Sequence, residues 1–136
     1  MSALAQISPH AEKACRPTVL VAEDEVLVRG VVAQHLREAG LNVIEASNAG
    51  EAVDVLVSGE AVDLVFTDVA MPGIMNGVML ARWIYLHRPD VHVVLTSGSP
   101  EWARALPNER LFLKPYELDE VEAHIRGMLT GCKPRN

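Results

Sequence analysis

The sequence predicts an α/β fold built around a five-stranded parallel sheet. Five short apolar segments alternate with helical segments, and the loops that join them are short. Such alternation is typical of a parallel sheet with helices packed against it. The first apolar segment, Thr18–Ala22, is almost continuously apolar, as expected for a strand covered on both sides. The 136 residues, 49% of them hydrophobic, are enough for one domain with a substantial core.

The first half of the chain contains two strand–helix pairs. The first strand covers residues 18–22, and Gly40 ends the helix that follows it. A second strand over residues 42–46 precedes a helix that Asn48 caps and Gly59 ends, with Glu51 placed for a variant of the capping box. The apolar faces of the two helices are expected to consist of Val28, Val32, Leu36 and Ala39 in the first and Val53, Leu56 and Val57 in the second.

The second half adds three strands and at least two helices. A third strand over residues 64–67 runs directly into Asp68, and a helix over residues 77–87 follows a loop. The fourth strand covers residues 91–96, and the fifth covers residues 111–113 and precedes the last helix. The core residues expected in these two helices are Leu80, Ala81, Ile84, Leu118, Val121, Ile125 and Leu129.

The segment between the fourth and fifth strands is short. Residues 101–110 have room for one or two helical turns, and Pro107 limits their length, so we expect a short or irregular helix there. The ordered domain is expected to cover residues 18–130. A loose extension at residues 1–17 and a tail at residues 131–136 flank it, and no linker or output domain is expected.

Composition and charge exclude several classes of function. The net charge is −6 and Lys and Arg form no basic stripe, so direct nucleic-acid binding is not expected. No apolar stretch approaches the length of a membrane span, and no signal peptide is visible, so we expect a cytoplasmic protein. Cys15 and Cys132 have no metal-ligand spacing and are expected to be reduced thiols, with a disulfide between them as the alternative. The five histidines also lack ligand spacing.

Polar and charged residues stand at the ends of four predicted strands. In an open parallel sheet, ligands bind outside the carboxyl ends of the strands, so we expect these side chains to converge on one edge. They are Glu23 and Asp24 after the first strand, Asp68 after the third, Thr96 and Ser97 at the end of the fourth, and Lys114 after the fifth.

These residue types point to phosphoryl chemistry. Three carboxylates crowded together repel one another, so the site requires a cation, and a set of oxygen ligands favours a hard ion such as Mg²⁺ or Ca²⁺. Mg²⁺ would allow a phosphoryl donor to approach Asp68, which would act as the nucleophile and form an aspartyl-phosphate. Lys114 supplies positive charge for the transferring group, and Ser97 supplies a hydroxyl donor.

Four motifs, each at a strand end, together resemble the receiver domain of two-component response regulators. They are Glu23-Asp24, the stretch Phe66 to Gly73, the stretch Leu95 to Gly98, and the stretch Phe112 to Tyr116. The resemblance covers about residues 18–129. It implies a flavodoxin-like (βα)5 three-layer sandwich with strand order 2-1-3-4-5, similar to the chemotaxis regulator, in a single-domain form.

The resemblance also implies a role for each site residue. Asp68 matches the phosphoacceptor, and Lys114 matches the lysine that pairs with the phosphoryl oxygens. Asp24 matches a direct Mg²⁺ ligand, and Glu23 matches its acidic neighbour, often a ligand through water. The main-chain carbonyl of Ala70 matches the third protein ligand.

The resemblance implies two further features, and the second leaves a choice between two residues. The peptide bond to Pro115 is expected to be cis. The family places a hydroxyl at the end of the fourth strand, and both Thr96 and Ser97 qualify. One extra residue in the loop at 73–77 and the small residue Gly98 favour Ser97.

The chain departs from the family pattern in two places. The distance along the chain from Ser97 to Lys114 is shorter than usual, which again indicates a stunted helix. The family's aromatic switch would stand at Leu111, whereas Phe112 should point to the other face of the strand. Both departures affect the surface through which relatives signal and leave the acidic pocket intact.

The resemblance implies a receiver that a histidine kinase or phosphotransfer protein phosphorylates on Asp68 with Mg²⁺, switching protein–protein contacts. The alternative is a phosphate sink or shuttle in a phosphorelay, without an output of its own. A third hypothesis is an independent enzyme such as an aspartate-nucleophile phosphatase, which we do not expect, since such enzymes usually need a second acid where this chain has Ala70. We expect a monomer or weak dimer that contacts neither nucleic acid nor a membrane.

Overall fold

A computed structural model describes residues 16–102 and 110–130 and shows one parallel sheet with helices on both faces. The strands are β1 (Thr18–Ala22), β2 (Asn42–Ala46), β3 (Leu64–Asp68), β4 (His92–Ser97) and β5 (Arg110–Leu113). The helices within these residues are α1 (Val26–Glu38), α2 (Ala49–Val57), α3 (Gly77–His87) and α4 (Leu118–Met128). The strand order is β2-β1-β3-β4-β5, and every neighbouring pair is parallel. The predicted fold class and strand order are confirmed.

Some predicted features lie outside the described residues. These include most of the N-terminal extension and the whole of the 131–136 tail, so both cysteines are among them. The segment expected to hold a short helix is described only up to Trp102, with residues 101–102 helical, and again from residue 110 onward. The prediction of a short helix there, and the domain limits at residues 18 and 130, stay predictions.

Apolar side chains cover both faces of the sheet, because successive residues of its central strands point alternately into two apolar clusters. Leu20 and Val65 face the cluster covered by α2 and α3, while Val19, Val21 and Phe66 face the cluster covered by α1 and α4. Every residue of β3 is buried. This burial on both faces is what the apolar strand sequences indicated, and it holds the strand ends in fixed positions relative to one another.

The second helix begins as predicted but buries a different stripe. The Asn48 side chain accepts a hydrogen bond from the Glu51 amide at 2.8 Å, and the Glu51 carboxylate accepts one from the Ser47 amide at 2.7 Å, which completes the capping box. The expectation that Val57 belongs to the apolar face is wrong, since its side chain is 64% exposed. The buried residues of α2 are Ala49, Ala52 and Leu56, so the stripe ends one residue earlier.

Candidate functional site

Four charged residues meet at the carboxyl edge of the sheet. β1 pairs with β3 up to the residues that precede Glu23 and Asp68, so the two strand ends lie side by side. One carboxylate oxygen from each of Glu23, Asp24 and Asp68 lies within 4.8 Å of the others. The Lys114 Nζ atom lies 2.6 Å from the Asp68 Oδ2 atom. The convergence expected from the sequence is therefore present.

Main-chain hydrogen bonds set the position of Asp68 and Lys114. Asp68 ends β3, is buried, and accepts a hydrogen bond on Oδ1 from the Ala70 amide at 3.3 Å. The Lys114 amide donates to the Ser97 carbonyl at 2.8 Å, which continues the pairing of β5 with β4. The peptide bond from Lys114 to Pro115 is cis, as the family resemblance implied.

The negative charge of the site favours binding of a cation. Burial raises the pKa of Glu23, and the negative charge of Asp68 raises it further, although the Glu25 amide and Lys114 act in the opposite direction. Partial burial opposes ionisation of Lys114, but its hydrogen bond to Asp68 and the charges of Asp68 and Glu23 outweigh this and raise its pKa. The pKa of Glu23 is thus raised mainly by burial, and the pKa of Lys114 is raised by the carboxylates that it faces.

These residues fit a bound Mg²⁺ ion. Magnesium takes oxygen ligands, usually one or two carboxylates together with waters and phosphate oxygens. The three carboxylates supply such oxygens. An open cavity of about 490 Å³ reaches the cluster at Asp24 and has room for a phosphoryl donor, and it is lined by Asp24, Val69, Ala70, Met71, Pro72, Asn76 and Trp102. Ala70 and Asp24 thus line the same cavity, and the Ala70 carbonyl stays a predicted ligand.

Replacing Glu23 with glutamine is expected to stabilise the protein at neutral pH when divalent cations are absent. Because the folded state raises the pKa of Glu23 above 4.5, the wild type loses stability as the pH rises from 4.5 through the folded-state pKa. Glutamine keeps an oxygen for the Glu25 amide, which lies 3.1 Å from Glu23 Oε2, but carries no charge. We expect a gain of about 1 kcal/mol, the scale of a poorly compensated buried polar group.

Urea unfolding in EDTA checks this expectation. The difference between Glu23→Gln and wild type should be small near pH 4, where Glu23 is protonated in both states, and should grow towards neutral pH. A difference that is the same at both pH values would show that the charge of Glu23 is not its cause.

The two hydroxyl candidates differ in their surroundings. The Ser97 hydroxyl accepts a hydrogen bond from the Ser99 amide at 2.9 Å and donates one to the Ser99 carbonyl at 3.3 Å, so it is held in a local turn. Thr96 is buried within β4, where it stands beside Asp68 of β3 and Phe112 of β5. The preference for Ser97 as the switch hydroxyl stays a prediction.

The faces of β5 are as the sequence indicated. Phe112 is buried on the α1 and α4 side, where its ring meets His124 edge-on at a centroid distance of 5.6 Å. Leu111 packs on the other side, against the cluster of Val69, Val78 and Leu95 that also contacts Trp102. Trp102 therefore packs against the same cluster as Leu111, and it also lines the cavity that contains Asp24.

The sequence did not reveal two features near the site. Arg29 lies outside the apolar face predicted for the first helix, yet its side chain is only 17% exposed and donates a hydrogen bond to the Glu23 carbonyl. Gly77 lies against the main chain of Asp68. The signal for Arg29 would have been its position four residues after the acidic loop at Glu25, where one helical turn returns a side chain towards the loop.

The structure also forms a second charged group that no sequence spacing indicated. His35 Nε2 of α1 lies 3.0 Å from Glu122 Oε1 and 3.4 Å from Asp119 Oδ1 of α4. The partners His35 and Glu122 are 87 residues apart in sequence, so only the fold brings them together. This group lies outside the acidic cluster and joins the two helices on one face of the sheet.

Comparisons with known proteins agree with this geometry. The family model for the response regulator receiver domain matches residues 19–126. The sensor kinase CckA of Brucella abortus is 36% identical over 118 residues, which are 82% of this chain and 12% of CckA. The transcriptional regulator NtrC of Rhizobium meliloti is 34% identical over 123 residues, which are 87% of this chain and 25% of NtrC. The chain thus spans a quarter or less of these two relatives.

Solved structures with the same fold extend the comparison. A response regulator receiver protein from Sinorhizobium medicae superposes with a TM-score of 0.77 at 26% identity, covering 87% of this chain and 98% of that one. The response regulator TrrA of Thermotoga maritima, solved with Mg²⁺-BeF, gives a TM-score of 0.75 at 26% identity, covering 82% and 98%. Among the described residues, no helix is both long and apolar enough to cross a membrane. The chain belongs to the response regulator receiver domain family of two-component signalling.

Proposed function

We propose that this receiver is phosphorylated on Asp68 by a histidine kinase or phosphotransfer protein with Mg²⁺, and that phosphorylation switches its protein–protein contacts. One observation carries the proposal: Asp68 is buried among two other acids and lies 2.6 Å from Lys114 Nζ. A buried carboxylate beside one cation, with the adjacent residues Val69 and Ala70 lining an open cavity, suits an anionic donor. The sensor kinase relative and the neighbour solved with Mg²⁺-BeF support the donor class and the metal.

The residues of this chain act mainly by position and charge. In the transfer, an Asp68 oxygen forms a bond to phosphorus as the bond from phosphorus to the donor's imidazole nitrogen breaks. When bound, Mg²⁺ supplies positive charge that offsets the carboxylates and the phosphoryl oxygens. Lys114 remains beside Asp68 and neutralises one of the new oxygens. The Ala70 amide, 3.3 Å from Asp68 Oδ1, is a second donor to the same carboxylate.

The output is proposed to pass through Ser97. Its hydroxyl now bonds to Ser99 in both directions, and the Ser99 carbonyl also accepts a hydrogen bond from the Trp102 amide. A phosphoryl group on Asp68 adds charge and acceptors that would draw the Ser97 hydroxyl inward. Losing this bond frees Ser99, so the turn after β4 and the Trp102 segment would change together.

Phosphorylation of intact protein tests the central claim. With Mg²⁺ and acetyl phosphate, or a phosphohistidine donor, the wild type is expected to gain the mass of one phosphoryl group. Asp68→Asn should gain none, and excess EDTA should block the gain on the wild type. Asp54→Asn, which changes an exposed aspartate on α2, is the matched control and should behave as wild type. An equal mass gain on Asp68→Asn would reject Asp68 as the acceptor.

A phosphate sink or shuttle is the second candidate. It is favoured by Leu111, which is packed against Val69 and Leu95 and has no ring to move between two positions. A sink would lose its phosphoryl group rapidly and leave the amide spectra around β4 and β5 unchanged. Persistent changes in those amides on phosphorylation would favour the switch.

We further propose that the chain acts in the cytoplasm, as a monomer or weak dimer, and turns over no separate substrate. The position two residues after Asp68 is Ala70, which cannot serve as a second acid. Hydrolysis of p-nitrophenyl phosphate that Asp68→Asn abolishes would contradict the last point.

A further inference from the structure

Arg29 connects the acidic loop to the neighbouring strand. It lies in the first turns of α1, and its side chain is 17% exposed. Its Nη1 atom donates to the main-chain carbonyl of Glu23 at 2.9 Å, and its Nε atom donates to Glu45 Oε1 of β2 at 3.3 Å. A single guanidinium group thus joins the end of β1 to the adjacent strand.

The carbonyl that Arg29 binds belongs to the peptide unit between Glu23 and Asp24. This unit is planar, so fixing the direction of its carbonyl also fixes the amide of Asp24 and the direction in which the chain enters that residue. The Glu23 amide donates to the Ala46 carbonyl at 3.0 Å, and the Glu25 amide donates to Glu23 Oε2 at 3.1 Å. Arg29 therefore completes a set of bonds that holds the Glu23 carboxylate and the main chain on which the Asp24 side chain stands.

We propose that Arg29 is a positioning residue for divalent-cation binding, acting through the Glu23 carbonyl on Glu23 and Asp24. This inference rests on the proposed function, in which these acids hold Mg²⁺. An arginine suits the role because its rigid fork presents donors in fixed directions, here to two acceptors on different segments. Without it, the peptide unit can rotate and the carboxylates spend less time in a shared arrangement. Outer groups that orient metal ligands typically change metal affinity by about 10-fold to 100-fold.

The test compares Arg29→Ala with Arg37→Ala. Arg37 donates to the other oxygen of the same carboxylate, Glu45 Oε2 at 3.1 Å, and to the Val43 carbonyl, but makes no contact with the acidic loop. The Mg²⁺ dissociation constant is obtained from the thermal midpoint as a function of Mg²⁺ concentration, which requires no phosphoryl donor. We expect Arg29→Ala to bind Mg²⁺ about 10-fold more weakly and Arg37→Ala to stay within about 2-fold of wild type.

Phosphorylation separates positioning from chemistry. At saturating Mg²⁺, the phosphorylation rate of Arg29→Ala should return close to that of wild type, because Asp68 and Lys114 are unchanged. Arg29→Lys, which keeps the positive charge beside Glu45, is the second variant and should fold even where alanine does not. It should lose Mg²⁺ affinity, since one ammonium group cannot reproduce both bonds of the fork.

Each outcome decides between the proposals. Wild-type Mg²⁺ affinity in either Arg29 variant, or an equal loss in Arg37→Ala, overturns the role of Arg29. A wild type that binds Mg²⁺ with the expected Arg29 effect, yet never phosphorylates on Asp68, overturns the proposed function and leaves the positioning role standing. A wild type without any Mg²⁺ response overturns both.

Discussion

Gly77→Ala is expected to destabilise the protein by about 3 kcal/mol or more and to impair phosphorylation of Asp68. A Cβ atom built on Gly77 would overlap the main-chain oxygen of Asp68 and lie 2.8 Å from both the Asp68 carbonyl carbon and the Val69 Cα atom. All three are main-chain atoms in or beside a buried strand, so no flexible side chain can move aside. Overpacking of this kind typically costs about 1–3 kcal/mol, and rigid main chain places this case at or above the upper end.

The effect on phosphorylation follows from the same contact. The Gly77 amide donates to the Val69 carbonyl at 2.9 Å, so the start of α3 is bonded to the segment that carries Asp68. Relief of the overlap must move either α3 or this segment. A shift of the segment would displace Asp68 from Lys114 and from the other two acids, so phosphorylation should slow even in the folded fraction.

Gly30→Ala is the matched control. Gly30 lies within α1, and a Cβ atom built there meets nothing within 4 Å. Alanine is favoured over glycine in a helix by about 1 kcal/mol, so this variant should be more stable than wild type. Urea unfolding of both variants measures the effect. Wild-type stability in Gly77→Ala would show that the main chain of Asp68 can move away from position 77 at little cost, contrary to this prediction.

The fold and the acidic cluster could be predicted because both follow from local patterns. Apolar strands alternating with amphipathic helices define a parallel sheet, and residues that follow such strands must share its carboxyl edge. Hence Asp24, Asp68 and Lys114 could be placed together without coordinates. The capping box at Asn48 is equally local, since its partners are three and four residues apart.

The remaining features depend on distances between segments, which no local pattern specifies. In the sequence, Gly77 is an ordinary helix start. Only the structure shows that the main chain of Asp68 lies against it. The arginine at position 29 looks solvent-facing because its two acceptors belong to other segments of the chain. The choice between Thr96 and Ser97 depends on which of these neighbouring residues, on opposite faces of β4, is turned towards the site, and this follows from the register of β4 with β3.

Lys114→Gln is expected to lower stability by about 1–3 kcal/mol in the absence of divalent cations, the range for leaving a buried hydrogen-bonding group without its partner. The Asp68 carboxylate is only 7% exposed and would lose its ammonium partner, while Glu23 and Asp24 would remain close. The Lys114 side chain is 36% exposed, so solvent screening places the loss towards the lower end of the range.

The pH dependence of this loss has a definite sign. Because the folded state raises the pKa of Lys114 above 10.5, its stabilising contribution is complete below pH 10.5 and disappears as the pH rises through the folded-state value. The stability difference between wild type and Lys114→Gln should therefore be constant around neutral pH and shrink in strong alkali. A difference that instead grows with alkali would contradict the charge-pair explanation.

Mg²⁺ should stabilise Lys114→Gln more than it stabilises the wild type. In Lys114→Gln the acidic cluster keeps its negative charges but lacks the ammonium group that competes with a metal for Asp68 Oδ2. Added Mg²⁺ should therefore raise the thermal midpoint of Lys114→Gln by more than that of wild type. The double variant with Asp68→Asn tests the pairing, because removing both partners is expected to cost less than leaving the buried Asp68 carboxylate without its partner. Additive losses in that double variant would mean that Lys114 stabilises the fold through contacts other than Asp68.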